Sequence, residues 1–399
     1  MNFTELKGDF PILTERIGTC PLVYLDNAAT TQMPLCTIEA LSNHYRKDHA
    51  NVHRGIHTLS ERSTDQLENS RAAVAAFLGA KSPDTVIFTA GATAGINLVA
   101  RAYLEPVLGE GDNVVVSRFE HHSNLLPYVE LCRKNRAELR FLSTDLSNLH
   151  EVINSHTRLV SVTHVSNVTG FQMPVEEIIT AAHEVGSPVL VDGAQAAKEL
   201  PIDVCALDVD FYAVSAHKVF APTGVGALYV KAARLEQMQP VTFGGGMIGD
   251  LTERLEPIYE PSQLRFEAGT PNIAGIIAWK ASIDYMNRIG REKLYQRERK
   301  ISDYLYTQLK SVDKITILGE NPHHLGCISF SVQGLHPYDV AALLDKRGIA
   351  LRSGHHCAIM THREFGFEIS LRASTAFYNT EDEIDYFISV LKQVIGRLC

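Results

Sequence analysis

The feature that most constrains this chain is the alternation of short apolar segments with helical segments between residues 85 and 192. Apolar runs rich in Val, Ile and Leu predict strands, and the segments between them carry helical spacing of apolar residues. The strands predicted in this way, together with two that follow, are 85–89, 113–117, 138–142, 159–163, 189–192, 211–214 and 226–230. Strands that alternate with helices form a mainly parallel sheet covered on both faces. Because such sheets bind ligands at the carboxyl ends of their strands, polar residues there are the first site candidates.

The pattern changes after the seventh predicted strand, which indicates a second domain. Residues 252–265 are polar and predicted to be irregular, and a long charged helix over 292–309 is predicted to lead into the C-terminal part. That part predicts a smaller α+β unit with an antiparallel sheet, whose strands are 314–318, 327–332, 349–352 and 370–374. We therefore expect an α/β protein with a large domain over 26–290, a small domain over 291–399, and an N-terminal segment, 1–25, that joins the small domain.

Composition and charge argue against several classes of protein. The 399 residues are 45% hydrophobic and 21% charged, as in ordinary soluble proteins. The net charge of −9 argues against nucleic acid as a partner. The N-terminus lacks a signal-peptide core and no apolar run approaches the roughly 20 residues that span a bilayer, so we expect a cytoplasmic protein with no membrane partner. The seven cysteines contain no Cys-x-x-Cys pair, which indicates neither a metal site nor a disulfide framework.

Lys218 lies between two predicted buried strands, next to Val219 and Phe220. A lysine is usually a solvated surface charge, and that interpretation stays open for Lys218. Burial between two strands would instead remove water from the amine, lower its pKa and supply the neutral amine that Schiff-base chemistry requires. The pattern therefore makes Lys218 a candidate for attachment to an aldehyde.

Further polar groups follow other predicted strands. Asp192 ends the run 189–192, where it is either a turn or helix cap or a carboxylate that pairs with a protonated pyridine nitrogen. Gln195, three residues later, is in reach of an oxygen on the same ring. The turn from Gly91 to Thr93 opens a helix, and free backbone N–H groups with the helix dipole suit a phosphate. Many strand-to-helix turns use glycine without a ligand, so this turn alone decides nothing.

Histidine, cysteine and arginine mark two further candidates. A pair of histidines, His121 and His122, follows a predicted strand; no third metal ligand is evident, so stacking of one imidazole on a flat ring fits better. Cys357 lies in the stretch Arg352-Ser-Gly-His-His-Cys-Ala358, a polar and cationic setting that favours the thiolate and hence a nucleophile. Arg372 is either a surface residue or a bidentate partner for a substrate carboxylate.

Taken together, these motifs resemble the pyridoxal-phosphate enzymes of the aspartate-aminotransferase fold. More narrowly, the chain is similar to the cysteine desulfurase and selenocysteine lyase family, Suf-type branch. The motifs that carry the resemblance are Tyr24-Leu-Asp-Asn-Ala-Ala, Asn51-Val-His-Arg-Gly-Ile-His, Glu120-His-His-Ser-Asn, Thr163-His-Val-Ser-Asn-Val, Val191-Asp-Gly-Ala-Gln, Ser215-Ala-His-Lys, Phe266-Glu-Ala-Gly-Thr-Pro-Asn, Arg352-Ser-Gly-His-His-Cys-Ala and Arg372-Ala-Ser. They cover nearly the whole chain, and their order is highly specific although no single motif is.

The resemblance implies a pyridoxal 5'-phosphate enzyme that converts L-cysteine to L-alanine and leaves the sulfur as a persulfide on Cys357. It also implies a homodimer, a sulfur acceptor of the SufE or SufU type, and a place in iron–sulfur cluster assembly. Lys218, Cys357 and His121 are the implied catalytic residues, with Lys218 joined to the cofactor. The other implied roles are Asp192 on the ring nitrogen, Gln195 on the ring oxygen, His121 stacked on the ring, Thr93, Ser215 and His217 on the phosphate with Thr270 from a second subunit, Asn167 and Arg372 on the substrate carboxylate, and His53 and Arg352 at the entrance.

Three stretches depart from the family pattern. The phosphate turn usually reads Arg-Gly-Thr-Thr-Glu and here reads Ala90-Gly-Ala-Thr-Ala94, which lacks one hydroxyl and two charges. The usual Ser-Gly-His-Lys is Ser215-Ala-His-Lys218, and Ile359-Met360 stands where the family commonly has Met/Gln-Pro.

The nearest alternative function is a selenocysteine lyase that releases selenium from L-selenocysteine. The second alternative function is that of another class V pyridoxal-phosphate enzyme, or of a non-enzymatic protein that binds pyridoxal phosphate.

Overall fold

Seven strands form the central sheet in the computed structural model, which describes residues 3–320 and 324–398. Their spatial order is Val86–Thr89, Gly226–Val230, Phe211–Ser215, Val189–Asp192, Thr157–Thr163, Asn113–Ser117 and Glu138–Leu142. The strands from Phe211–Ser215 to Glu138–Leu142 are parallel. Gly226–Val230 runs antiparallel to both of its neighbours. The predicted seven-stranded, mainly parallel sheet of an α/β fold is therefore confirmed.

Both faces of the central sheet are covered because successive strand residues point to opposite sides. Val191 packs with Ile178 in one buried apolar cluster, whereas its neighbour Leu190 packs with Ile96 in another. All four side chains are fully buried. Burying an aliphatic side chain of this size stabilises the fold by about 1.5–3 kcal/mol. Since the faces are closed, a ligand meets polar groups only at the strand ends.

Helices follow most of the strands. The α-helices among the described residues are Phe3–Leu6, Leu35–Asn43, Thr58–Leu78, Ala92–Val99, Leu126–Asn135, Leu149–Val152, Val175–Glu184, Ala196–Glu199, Ala232–Leu235, Ile273–Ile289, Arg291–Lys310, Pro337–Asp345, Ile359–Glu364 and Glu381–Leu398. The helix Thr58–Leu78 ends at Gly79, whose left-handed conformation at φ 72° closes the last turn. Within the two described ranges, no helix is both long and apolar enough to cross a membrane.

A second sheet of four strands lies in the C-terminal part. Its order is Ile315–Ile317, Cys327–Val332, Ser370–Ser374 and Arg352–Gly354, and each neighbouring pair is antiparallel, as predicted. The long helix Arg291–Lys310 packs against Glu381–Leu398 beside this sheet. The N-terminal strand Val23–Tyr24 pairs in parallel with Ile349–Ala350. The segment at Val23–Tyr24 therefore lies against the C-terminal part, whereas Phe10 and Leu13 pack in the same buried cluster as Val191 of the central sheet.

Two local predictions were wrong. Within the stretch predicted to be irregular, Pro257–Tyr259 is a strand that pairs with Ile248–Leu251 in an antiparallel hairpin. Most of its residues are exposed, so no alternation of apolar and polar residues marks it. Residues 349–352 do not form one strand, because Ile349–Ala350 pairs with the N-terminal strand and Arg352–Gly354 joins the four-stranded sheet. Which partner a short strand takes depends on residues far away in the chain.

Candidate active site

A cavity of about 310 Å³ opens at the carboxyl ends of the central strands. Thr163, Asp192 and Ala213 are neighbours in the register of three parallel strands, which brings the segments that follow them to one edge. The residues singled out from the sequence that line this cavity are Thr93, His121, Asn167, Asp192, Gln195, Ser215, His217, Lys218, Arg352, Cys357 and Arg372. The structure thus gathers residues from both sheets around one space.

Lys218 ends the short 3₁₀ turn Ala216–Lys218, which follows the strand Phe211–Ser215. Thr31 holds this turn, because its backbone N–H donates to the His217 carbonyl at 2.9 Å. The Lys218 amine lines the cavity and forms no hydrogen bond with any other residue in the described ranges. Desolvation lowers the pKa of Lys218 to about 8, and the carboxylate of Asp192 opposes that shift. Much of the amine is therefore neutral near pH 8 and open to an electrophile.

Asp192 is buried at the end of its strand and faces the same cavity. Its Oδ1 accepts a hydrogen bond from the backbone N–H of Ala194 at 3.0 Å. Burial raises the pKa of Asp192, and the positive charge of Lys218 opposes this shift. The side-chain N–H of Gln195 donates to the carbonyl of Ala28 at 2.8 Å, and an amide nitrogen carries a second N–H. A carboxylate and an amide donor therefore lie side by side in the wall.

His121 begins the short turn after the strand Asn113–Ser117. Its Nδ1 accepts from the backbone N–H of Ser123 at 3.1 Å, so the neutral ring carries its proton on Nε2. Desolvation lowers the pKa of His121 to about 3, and the nearby Lys218 acts in the same direction. The ring is therefore neutral near pH 7 and offers a flat face with a defined tautomer.

A group of hydroxyls and a helix N-terminus form another wall. Thr93, in the first turn of the helix Ala92–Val99, shares a hydrogen bond with the Ser123 hydroxyl at 2.7 Å. The backbone N–H of Ala92 donates to the Ser215 hydroxyl at 2.8 Å. His217 lies beside them, and desolvation lowers its pKa to about 4. Hydroxyls and the N-terminal end of a helix form a suitable setting for a phosphate.

Arg372 is buried and enters the cavity from the four-stranded sheet. Its Nη1 donates to the carbonyl of Asn167 at 2.9 Å, and its Nη2 to the carboxylate of Asp26 at 3.1 Å. The other oxygen of Asp26 lies 3.0 Å from Nη2 of Arg352, so one carboxylate joins both arginines. Among the described residues the buried Nε of Arg372 has no partner.

Cys357 lies at the rim of the cavity on an exposed loop. His356 and Cys357 have φ angles of 51° and 55°, a left-handed conformation that is uncommon for residues other than glycine. The carbonyl of Cys357 accepts from the backbone N–H of His122 at 2.7 Å. Cys357 also lines a neighbouring cavity of about 660 Å³, whose wall includes Leu126 and Leu131. Its thiol therefore borders both an enclosed space and an open, largely apolar groove.

Two of the residues implied by the resemblance do not line this cavity. His53 and Thr270 border a separate cavity of about 290 Å³. His53 Nε2 lies 3.6 Å from a carboxylate oxygen of Glu68, and the Thr270 hydroxyl lies 3.5 Å from the Asn51 side-chain oxygen. The structure of one chain does not bring either residue to Lys218. Their roles at the entrance and in a second subunit remain predictions.

Several residues that matter in the cavity were not predicted from the sequence. Ser123 and Thr163 line it, and Asp26 joins its two arginines. All three lie inside motifs that were quoted for other residues. Their place in those motifs was the one feature of the sequence that could have indicated a role. In the two described ranges there is no cluster of three or more His, Cys, Asp or Glu residues arranged to hold a metal ion.

A family model described as aminotransferase class-V matches residues 23–387. The chain belongs to this family. A curated relative from Cronobacter sakazakii, named cysteine desulfurase, is 43% identical over 396 residues, which cover 98% of this chain and 97% of the relative. Pyridoxal 5'-phosphate, the cofactor of the class-V family, is therefore the cofactor of this chain, as predicted.

Solved structures of this class-V family extend the comparison. The apo cysteine desulfurase of Thermococcus onnurineus NA1 superposes with a TM-score of 0.92 at 37% identity, over 99% of this chain and 98% of that one. The cysteine desulfurase CsdA of Escherichia coli, in an S-sulfonic acid form, superposes with a TM-score of 0.91 at 33% identity, over 100% of both chains. These structures confirm the predicted aspartate-aminotransferase-like fold.

The residues of the cavity fit the class-V cofactor. The cavity supplies the Lys218 amine, which has no hydrogen-bond partner among the described residues, and a buried carboxylate at Asp192. A helix N-terminus and the hydroxyl of Thr93 border the same space. An aldehyde, a pyridine nitrogen and a phosphate are the three groups of pyridoxal 5'-phosphate that these residue types can bind.

Proposed function

We propose that the protein is a pyridoxal-phosphate-dependent cysteine desulfurase that removes sulfur from L-cysteine, giving L-alanine and a persulfide on Cys357. The observation that carries this proposal is one cavity with a desolvated lysine beside a buried carboxylate at one end and an exposed cysteine at the other. The name cysteine desulfurase of a full-length relative supports the same activity.

When bound, pyridoxal 5'-phosphate supplies an aldehyde for amines and an electron sink for the carbanion that forms at the substrate Cα. We assign its attachment to Lys218, its ring nitrogen to Asp192 and its ring oxygen to the free N–H of Gln195. We assign its ring face to His121 and its phosphate to Thr93, Ser215, His217 and Thr270 of a second subunit.

Lys218 does most of the proton transfer in this proposal. Because desolvation lowers the pKa of its amine to about 8, the amine both accepts and releases a proton near neutral pH. His121 is assigned as the third catalytic residue, and its neutral ring, protonated on Nε2, offers a hydrogen-bond donor in the same cavity. Asn167 and Arg372 hold the substrate carboxylate, and the position of both residues in the cavity wall supports that assignment. Arg352 and His53 are assigned to the entrance.

Cys357 takes the sulfur. Its Sγ forms a bond to the substrate sulfur, while the bond from that sulfur to the substrate Cβ breaks and leaves its electron pair on carbon. Carbon takes up a proton, so that L-cysteine and the Cys357 thiol become L-alanine and a Cys357 persulfide. A left-handed loop at the rim suits this task, since it holds the thiol at the cavity and open to the outside.

We further propose a cytoplasmic homodimer that passes the persulfide to an acceptor of the SufE or SufU type for iron–sulfur cluster assembly. The groove of about 660 Å³ beside Cys357 supports access by such an acceptor. The position of Thr270 away from the Lys218 cavity of its own chain is compatible with a role in a second subunit. The two sheets and the strand pair Val23–Tyr24 with Ile349–Ala350 support the division into 1–25, 26–290 and 291–399.

The test is alanine release from L-cysteine, followed by mass mapping of the persulfide. We expect the wild type to release alanine and carry one extra sulfur on the Cys357 peptide. We expect Cys357→Ala to lose both, and the matched variant Cys20→Ala, in the short strand Cys20–Pro21 that pairs with Arg16–Ile17, to keep both. If Cys357→Ala makes alanine as fast as the wild type, Cys357 is not the nucleophile.

L-selenocysteine is the second substrate of this test. Faster turnover of L-selenocysteine that persists in Cys357→Ala would identify a selenocysteine lyase instead. Cofactor absorbance without turnover of either substrate would identify a protein that only binds pyridoxal phosphate.

A further inference from the structure

The hydroxyl of Ser370 lies between two imidazole rings behind the Cys357 loop. Its Oγ is 2.9 Å from Nε2 of His356 and 3.0 Å from Nε2 of His362. The other nitrogen of the His362 ring, Nδ1, is 3.1 Å from the carbonyl oxygen of Ala358. Ser370 and His362 are fully buried and His356 is 8% exposed, so these bonds are shielded from bulk solvent. A carbonyl, two imidazoles and a hydroxyl thus form one hydrogen-bonded chain.

The direction of every bond in this chain follows from its first member. A carbonyl only accepts, so His362 must carry its proton on Nδ1. Burial lowers the pKa of both His362 and His356, which keeps both rings neutral. The Nε2 of His362 is therefore an acceptor, and the Ser370 hydroxyl donates to it. The hydroxyl oxygen then accepts from Nε2–H of His356. Only one arrangement of protons satisfies all three bonds.

This hydrogen-bonded chain ends at the loop that carries the nucleophile. Because non-glycine residues rarely adopt φ angles near 51° and 55°, His356 and Cys357 need contacts that hold them there. Asn167 donates to the carbonyl of His356 at 2.7 Å, and His122 to the carbonyl of Cys357 at 2.7 Å. The His362 ring holds the third consecutive carbonyl, that of Ala358, and Ser370 holds the His356 ring. The chain thus supplies two of the contacts that maintain the strained loop.

Ser370 also connects the loop to the arginine assigned to the substrate. Ser370 and Arg372 are two residues apart on the strand Ser370–Ser374, so they lie on the same face. Ser370 is the register partner of Gly354, which leads directly into the loop. A displacement of this strand therefore moves the carboxylate-binding residue and the thiol-bearing loop together.

We propose that Ser370 and His362 are positioning residues for sulfur transfer. They hold His356 with its proton on Nε2 and thereby hold Cys357 in the conformation that presents its thiol to the cavity. Neither residue touches the substrate, and their effect acts through His356 and the carbonyl of Ala358. The inference rests on the proposed desulfurase function and adds to it the residues that set the geometry of the thiol.

The experiment compares Ser370→Ala and His362→Phe with the wild-type holoenzyme. Each substitution removes hydrogen bonds of the chain with little change in volume. We expect persulfide formation on Cys357, measured in a single turnover, to slow at least about tenfold, the loss typical of a missing buried hydrogen bond. L-cysteine should still change the absorbance of the cofactor, with a KM and a rate within about threefold of the wild-type values, since Lys218 and Asp192 are unaffected. Ser370→Thr keeps the hydroxyl and should restore most of the rate.

Hydrogen–deuterium exchange provides a readout that does not depend on activity. Backbone amides of residues 355–360 should exchange faster in Ser370→Ala and His362→Phe than in the wild type. The matched control is Ser70→Ala, which removes a fully buried hydroxyl bonded to the Gln66 carbonyl at 2.7 Å, away from the loop. It should leave both exchange at 355–360 and persulfide formation unchanged.

Three outcomes separate this inference from the proposed function. Alanine release by the wild type, with wild-type persulfide rates in Ser370→Ala and His362→Phe, would overturn the inference and leave the function intact. An equal loss of the cofactor absorbance response and of persulfide formation would also overturn it, because the role would then be general folding. If the wild type makes no alanine from L-cysteine, the proposed desulfurase function itself is wrong. If Ser370→Ala does not fold, His362→Phe alone decides the outcome.

Discussion

The two ends of the cavity are built in different ways. At the lysine end, Asp192 is the last residue of a buried parallel strand and Lys218 lies in the turn after the neighbouring strand, and desolvation shifts the pKa of both groups. At the cysteine end, Cys357 lies exposed on a loop with two consecutive left-handed residues, held by bonds to its carbonyls. A resident cofactor needs burial and a rigid frame, whereas a thiol that serves substrate and acceptor in turn must stay at the rim. The following predictions test whether the two ends act as separately as they are built.

The largest effect is expected at the lysine end. Replacing Lys218 with Ala removes both the attachment point and the principal proton carrier, so alanine release should fall by about 10²–10⁴-fold. The matched control is Lys280→Ala, because Lys280 is a partly exposed helical lysine paired with Asp284. Stopped-flow alanine assays and cofactor absorbance measure the change. Comparable losses in both variants would show that the position of Lys218 is not special.

The next effect concerns the two arginines that share Asp26. Because Arg372 is buried and bonded to Asn167, Arg372→Lys should raise KM for L-cysteine about 10–100-fold, as expected for a lost charge-assisted hydrogen bond. Arg352 is half exposed, so Arg352→Lys should raise KM less than about tenfold. Steady-state kinetics with matched cofactor content measure both. Equal effects on KM would show that Arg372 is not the residue that binds the carboxylate of L-cysteine.

A smaller effect is expected at the phosphate wall. Thr93→Ala removes a hydroxyl from a turn that already has alanine at positions 92 and 94, so cofactor affinity should fall about tenfold. Persulfide formation at saturating cofactor should be nearly unchanged, since the cysteine end is untouched. Fluorescence titration of cofactor-free protein gives the affinity. A persulfide defect at saturating cofactor would mean that the two ends are coupled.

The smallest effect is a pH shift. In cofactor-free protein, only the neutral Lys218 amine captures the aldehyde, so the capture rate should rise with pH through about 8 and then level off. Asp192 raises the pKa of that amine, and Asp192→Asn should therefore move the midpoint to lower pH. Absorbance kinetics at a series of pH values measure both curves. A midpoint that moves upward would contradict the sign of this interaction.

The strands of the central sheet could be read directly from the sequence. Runs such as Asn113–Ser117 and Val189–Asp192 have the predicted bounds, because a strand buried on both faces contains an unbroken apolar run, here three consecutive apolar residues in each. The exposed hairpin of Ile248–Leu251 and Pro257–Tyr259 has no such pattern and was not predicted. The pattern of apolar residues therefore identifies strands that are buried on both faces. It misses exposed strands, which are recognised only by their pairing with another strand.

The residues around the site divide in the same way. Lys218 and Asp192 follow strands, and topology alone places the ends of parallel strands together. Asp26, Ser370 and His362 were given no role, because their importance lies in bonds to Arg372 and His356. Those bonds join different sheets and loops, and no spacing along the chain encodes them.

By itself, the sequence determined the family, the central sheet and the chemical types of the reacting groups, because local apolar runs and short ordered motifs carry that information. Only the tertiary structure decided that His53 and Thr270 lie outside the Lys218 cavity of their own chain. It alone revealed the hydrogen-bonded chain from Ala358 to His356 behind the thiol. The physical reason is that desolvation, proton positions and backbone strain depend on which distant segments pack together.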